Sequence, residues 1–154
     1  MRRHANPEPE PAADPASQEL KRTLNLLLPI RRQRLNRSER QQREQEQALR
    51  QLEQQTDEGL VQLSAQQQGY QQLKTAFAQD NCGVRQASYR LERAVQKEQR
   101  ALKDVQQQQL RLHALKQDHL EQQTRVEEAQ QETRQRQREV EKLSYLLQQE
   151  MMND

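Results

Sequence analysis

Asp80-Asn81-Cys82-Gly83 forms the one cluster of helix breakers between Ile30 and the end of the chain. Asn and Gly tolerate left-handed backbone angles, and Asp competes with its own main chain for hydrogen bonds. On both sides of it an apolar residue or its substitute recurs every seventh position. Leu28, Leu35, Leu49, Leu63, Tyr70 and Phe77 form one series, interrupted by Gln42 and Thr56. The series resumes as Val84, Leu91, Glu98, Val105, Leu112, His119, Val126, Thr133, Val140 and Leu147. Residues seven apart lie on nearly one helix face, so each arm carries a stripe. The expectation is an all-α fold: a long antiparallel two-helix coiled-coil hairpin, with helices over 30–79 and 84–150 joined by a turn at 80–83.

Folding the chain back about that turn pairs positions whose numbers sum to 161. Phe77 then meets Val84, Tyr70 meets Leu91, Leu49 meets Leu112 and Leu35 meets Val126. The layers between them set Gly59 opposite Leu102 and Gln66 opposite Val95. Polar layers follow too, with Glu98 opposite Leu63, Gln42 opposite His119 and Gln45 opposite Lys116. One unbroken heptad register also runs through 77 and 84, so a continuous helix in a parallel dimer keeps the same stripe. The seats such a dimer prefers, Leu115, Ala129 and Leu143, are better filled than Lys116, Gln130 and Ser144. The breaker cluster decides for the hairpin, because Gly alone costs a helix about 1 kcal/mol relative to Ala.

Composition supports a narrow seam rather than a layered core. Only 31% of the 154 residues are hydrophobic and 3% aromatic, while 31% are charged. That is too little to line a compact interior but enough for two seats in seven. Cys82 is the single cysteine, which excludes an internal disulfide framework and suits a reducing compartment. The longest apolar run, Leu26-Leu27-Leu28-Pro29-Ile30, is too short to span a bilayer, and the chain opens with no signal-peptide pattern. A cytoplasmic protein is expected.

Residues 1–16 carry Pro7, Pro9, Pro11 and Pro15 among Ala, Glu, Asp and Asn, and read as a disordered tail. Ser17 suits an N-cap for a short helix over 17–29, through Leu20, Leu24, Leu27 and Leu28. Pro29 is expected to kink or end it.

Little in the chain suits catalysis. It has no Gly-rich phosphate loop, no paired-Cys zinc spacing and no nucleophile elbow. His113 and His119, six apart, point to different helix faces, and no His lies near Cys82 in sequence. No enzyme activity, metal or cofactor is expected. Two other features stand out. Arg31, Arg32, Arg34, Arg37, Arg40 and Arg43 fall within about four turns, with Glu39 the one acid among them. Such a block suits an acidic partner surface or phosphates. Near the turn, Phe77, Val84, Tyr89 and Leu91 gather apolar groups, and Tyr89 lies off the seam. Basic helix followed by heptads is also the order of a basic-leucine-zipper, but the Asn-x-x-Ala-Ala core of that family is missing.

The Leu-rich lead into Ile30-Arg31-Arg32-Gln33-Arg34-Leu35-Asn36-Arg37-Ser38-Glu39-Arg40, followed by a Gln/Glu/Arg-rich helical hairpin, resembles the FliJ-like and YscO-like (HrpO-like) central-stalk coiled coils of type III secretion. The resemblance covers roughly residues 24–150. It implies a non-enzymatic stalk, cytoplasmic and peripheral to the inner-membrane secretion apparatus of a virulence-type or flagellar system. The end with both chain termini would engage the hexameric export ATPase, through Arg31, Arg32, Arg34, Arg37 and Arg40. The tip around Tyr89 and Leu91 would face the membrane-embedded export gate, and some members also handle substrate chaperones. Two other readings stand beside it: a generic coiled-coil scaffold or tether, and nucleic-acid binding through the arginine helix.

Overall fold

A computed structural model describes residues 14–81 and 88–152. They form two helices, α1 (Pro15–Asn81) and α2 (Ser88–Met152). The expected all-α antiparallel coiled-coil hairpin is what the chain forms. The polar composition is no obstacle, since Gln, Glu, Arg, Lys, Leu and Ala are good helix formers. Pairs four apart, such as Gln54–Glu58 and Gln137–Glu141 (both 3.3 Å), add local support.

Two packed units are distinguished. One joins α1 up to Gln45 with α2 from Val126 onward; the other lies within Glu46–Arg125. In the first, Leu24, Leu28 and Val126 are buried, and Ser17 Oγ donates to Glu150 Oε2 at 2.6 Å. In the second, Val105 and Leu112 are buried, and Gln108 Nε2 donates to the Gly59 carbonyl at 3.2 Å.

The seven-residue stripes bear the seam as expected, but their register differs. A Cβ built on Gly59 would lie 2.7 Å from Leu112 Cδ2, a pair whose numbers sum to 171. Arg31 meets Glu139 at 3.0 Å, a sum of 170. Tyr70 and Ala101 line one groove (171), and Phe77 and Ala94 line the next (171). The pairing by 161 is therefore corrected by about ten residues. Leu112 faces Gly59 and not Leu49. His119 lies 3.4 Å from Glu53 and does not share a layer with Gln42. Lys116 is exposed beside Thr56 and Asp57, away from Gln45. This register also makes Glu98 level with Leu73 rather than Leu63, and Val126 level with Gln45 rather than Leu35.

The cause is the spacing of seam seats. Along α1 they alternate by three and four residues, as in Leu24, Leu28, Arg31 and Leu35. An antiparallel partner stays in step only if each seat of one series faces the other series across the seam. The second series of α2 is thus Ala94, Ala101, Gln108, Leu115, Gln122, Ala129, Arg136 and Leu143, all buried or half-buried, whereas Val95 is 41% exposed. The well-filled seats Leu115, Ala129 and Leu143 belong to the hairpin after all. In the Glu46–Arg125 unit large residues meet small ones at three layers, Leu112 on Gly59, Tyr70 on Ala101 and Phe77 on Ala94. Where Thr56 and Thr133 interrupt the stripe, their hydroxyls donate to the carbonyls of Leu52 (2.8 Å) and Ala129 (2.9 Å), so neither hydroxyl is left unpaired, whereas the buried Gln66 Oε1 has no hydrogen-bond partner.

Three boundaries move. Asp14, not Ser17, caps α1: its Oδ1 accepts from Ala16 N at 3.2 Å and its carbonyl from Gln18 N at 3.0 Å. Pro15 then takes the first helical position, which its fixed φ and missing N–H suit. Helix consequently begins inside the expected 1–16 tail, whose residues 1–13 lie outside the described residues. The expected stop at Pro29 is absent, and α1 runs through it. Finally, α1 continues past Gln79 to Asn81, so Asp80 and Asn81 are helical, while Cys82, Gly83 and the expected start of α2 at Val84 lie outside the described residues.

The register is directly testable. In a Cys82→Ser background, Gly59→Cys with Leu112→Cys is expected to form an intramolecular disulfide on mild oxidation, because Cβ atoms at one seam layer come within bridging range. Gly59→Cys with Leu102→Cys should stay reduced. Preferential crosslinking of the second pair, read by non-reducing electrophoresis, would restore the 161 register.

Candidate partner-binding surface

The arginine block lies within the first unit, and each of its members takes a different heptad position. Arg31 is one of the seam series; Arg32, Arg34, Arg37, Arg40 and Arg43 occupy five other positions and are all exposed. The block is a collar around α1 rather than a stripe. Arg31 stands apart from the other expected partner contacts. Its guanidinium donates to Glu139 Oε2 and its side chain is 31% exposed, so it is engaged in holding α1 to α2. Glu139 also accepts from Arg136 at 3.5 Å, and Arg136 lies 3.8 Å from Glu132. Arg32, Arg34, Arg37, Arg40 and Arg43 make no ion pair among the described residues.

The corrected register changes what faces this collar. Residues 31–43 lie level with 128–140 rather than with the segment near Arg125 and Glu127. That stretch of α2 adds Arg134, Arg136 and Arg138 against Glu128, Glu132 and Glu139. Six arginines and one glutamate on α1, with three of each on α2, leave the segment at +5. Arg134 and Arg138 are exposed and extend the basic surface. Their contribution was hidden because it depends on the register, although the Arg-x-Arg-x-Arg run is plain in the sequence. Since Ser17 and Glu150 are hydrogen-bonded, this unit also contains the paired ends of the two helices.

At the other expected contact, Tyr89 is 62% exposed, as its place off the seam requires. Leu91 is half-buried and belongs to the seam, so Tyr89 alone is presented outward. Phe77 and Asp80 line one groove with Arg90 and Arg93.

The second unit has a shallow hollow of about 540 Å³ lined by Glu53, Thr56, Asp57, Lys116, His119 and Leu120. The His119 ring nitrogen and the Glu53 carboxylate lie 3.4 Å apart within it. His113 is exposed and bonds Gln117 at 3.4 Å. Among the described residues no three His, Cys, Asp or Glu side chains gather as a metal site would need, and no helix is long and apolar enough to cross a membrane. No family model matches the chain, and neither a curated protein nor a solved structure shows significant similarity to it.

Proposed function

We propose that the chain is a non-enzymatic coupling stalk of a type III secretion system, linking the hexameric export ATPase to the export gate of the inner membrane and engaging substrate chaperones. The observation that supports it is an exposed arginine collar beside the paired ends of an antiparallel two-helix coiled coil. That is the end by which such stalks would meet the ATPase. The collar acts through Arg32, Arg34, Arg37 and Arg40, with Arg31 holding the seam beneath them. Tyr89 serves the gate-facing end.

Charge at this end favours fast encounter and orientation more than a large gain per contact. Exposed ion pairs are each worth about 0–1 kcal/mol, so any one Arg→Ala change should be nearly silent. Arg32, Arg34, Arg37 and Arg40 changed together to Glu should weaken binding to the purified ATPase by roughly a hundredfold or more, with helicity unchanged by circular dichroism. Tyr89→Ala should spare that binding and reduce secretion. Wild-type affinity in the fourfold variant would sink the proposal. Salt-sensitive binding to DNA or RNA, with none to the ATPase, would instead favour phosphate recognition.

A further inference from the structure

Between Leu20 and Ile30, α1 carries more apolar surface than its seam uses. Leu24 and Leu28 are buried, yet Leu20, Leu26 and Ile30 are 43%, 67% and 46% exposed. A helix apolar around most of its girth calls for a second packing partner. Within both units no large side chain among the described residues is fully buried, as two helices alone would leave it.

Leu20 and Ile30 share a flank with the half-buried Leu27, while Leu26 lies off it. Leu20, Leu27 and Arg34 each precede a seam seat (Lys21, Leu28, Leu35) by one position, and Ile30 and Arg37 follow Leu27 and Arg34 by three, which widens the same face. On α2, Glu132, Glu139 and Leu146 precede the seats Thr133, Val140 and Leu147, with Glu128 and Lys142 beside them. These two flanks border one side of the seam. Ala76, Arg90 and Lys97, in the equivalent positions of the other unit, line a single groove.

From the paired ends inward, α1 thus presents Leu20, Leu27 and Ile30 and then Arg34 and Arg37. Over the same distance α2 presents Leu146 and then Glu139, Glu132 and Glu128. We propose that this flank is a homodimer interface, in which a second copy packs in the same direction about a two-fold axis parallel to the helices. The α1 of each copy lies on the α2 of the other. Leu20, Leu27 and Ile30 then cover Leu146, and Arg34 and Arg37 fall between Glu139 and Glu132. The charges select this arrangement: α1 on α1 would press the arginines of two copies together, a repulsion that discriminates against it. Lys142 is the one base on the α2 flank between 126 and 150. The interface is isologous, with one patch used twice.

Because Arg34 and Arg37 also belong to the proposed ATPase-facing collar, dimer and ATPase contact are alternatives, and the test reads the dimer on the full chain alone with no secretion partner present. Sedimentation equilibrium is expected to show a monomer–dimer equilibrium, with Leu20→Glu plus Ile30→Glu monomeric and of unchanged helicity. Arg34→Glu plus Arg37→Glu should be monomeric, as should Glu128→Arg plus Glu132→Arg, whereas an equimolar mixture of these two chains should dimerise again. A wild-type chain that remains monomeric as concentration rises would overturn the proposal. So would reversals that leave the dimer intact, or a mixture that stays monomeric. Should the apolar variant lose helicity, the charge-reversed mixture decides.

Discussion

Gly59→Leu is expected to destabilise the Glu46–Arg125 unit by roughly 1–3 kcal/mol, and adding Leu112→Ala is expected to recover most of that loss. The space beside Gly59 is already filled by α2 side chains: a Cβ there would sit 2.7 Å from Leu112 Cδ2 and 3.3 Å from Gln108 Nε2. Leu112 is only 4% exposed and has little room to retreat. Helix propensity works the other way, since a residue other than Gly gains up to about 1 kcal/mol. For Gly59→Ala the two effects nearly cancel. A leucine adds three more carbons and displaces Gln108, whose bond to the Gly59 carbonyl is worth about 1 kcal/mol, so crowding wins. Leu112→Ala alone should also cost about 2 kcal/mol, the low end for a truncated core leucine because a two-helix seam collapses easily. Together the two changes exchange large for small across one layer. Urea unfolding should show strong coupling between them, and simple additivity would mean that 59 and 112 are not partners.

That pairing marks the limit of what the sequence disclosed. The α1 stripe was legible seat by seat, because Leu28, Leu35, Leu49, Leu63, Tyr70 and Phe77 repeat with few breaks. In α2 the second stripe is ambiguous wherever two apolar residues adjoin. Val95 beside Ala94, or Leu102 beside Ala101, draws the eye to the larger side chain, while the seam takes the smaller because Phe77 and Tyr70 fill the space opposite. Leu115, Ala129 and Leu143 pointed to the correct series and looked like support for a parallel dimer. They conflict with a hairpin only if the turn is centred near 80–83. Asp80 and Asn81 are tolerated in the last turn of α1 because each costs a helix at most about 0.7 kcal/mol, and Asp80 shares a groove with Arg90 and Arg93. Moving the fold-back point by a few residues moves the pairing by twice as many. The basic surface inherited the same error: the collar on α1 was legible, whereas its extension through Arg134 and Arg138 depends on register and was not.

Leu24→Ala with Leu28→Ala is expected to melt the first turns of α1 up to Pro29, and Pro29→Ala in the same chain is expected to restore them. Proline inside a helix removes one i→i−4 hydrogen bond and crowds the preceding turn, at a cost of about 3 kcal/mol. The helix crosses it nonetheless. Leu24 and Leu28, 3% and 7% exposed, lie within the two turns before it on the seam face, and burying each contributes about 1.5–3 kcal/mol. The register makes them level with Leu147 and Leu143, the best-filled layers of their unit. Together they outweigh the proline by a small margin, which is why propensity alone predicted a stop there. Removing both leucines, at about 2 kcal/mol each or somewhat more, reverses the balance. Helical signal should fall, and hydrogen exchange at Thr23–Leu28 should accelerate while residues beyond Arg31 stay protected. Pro29→Ala in the wild-type chain should slow exchange across the same segment. Unchanged protection in the double-leucine variant would show that something other than this seam carries α1 through Pro29.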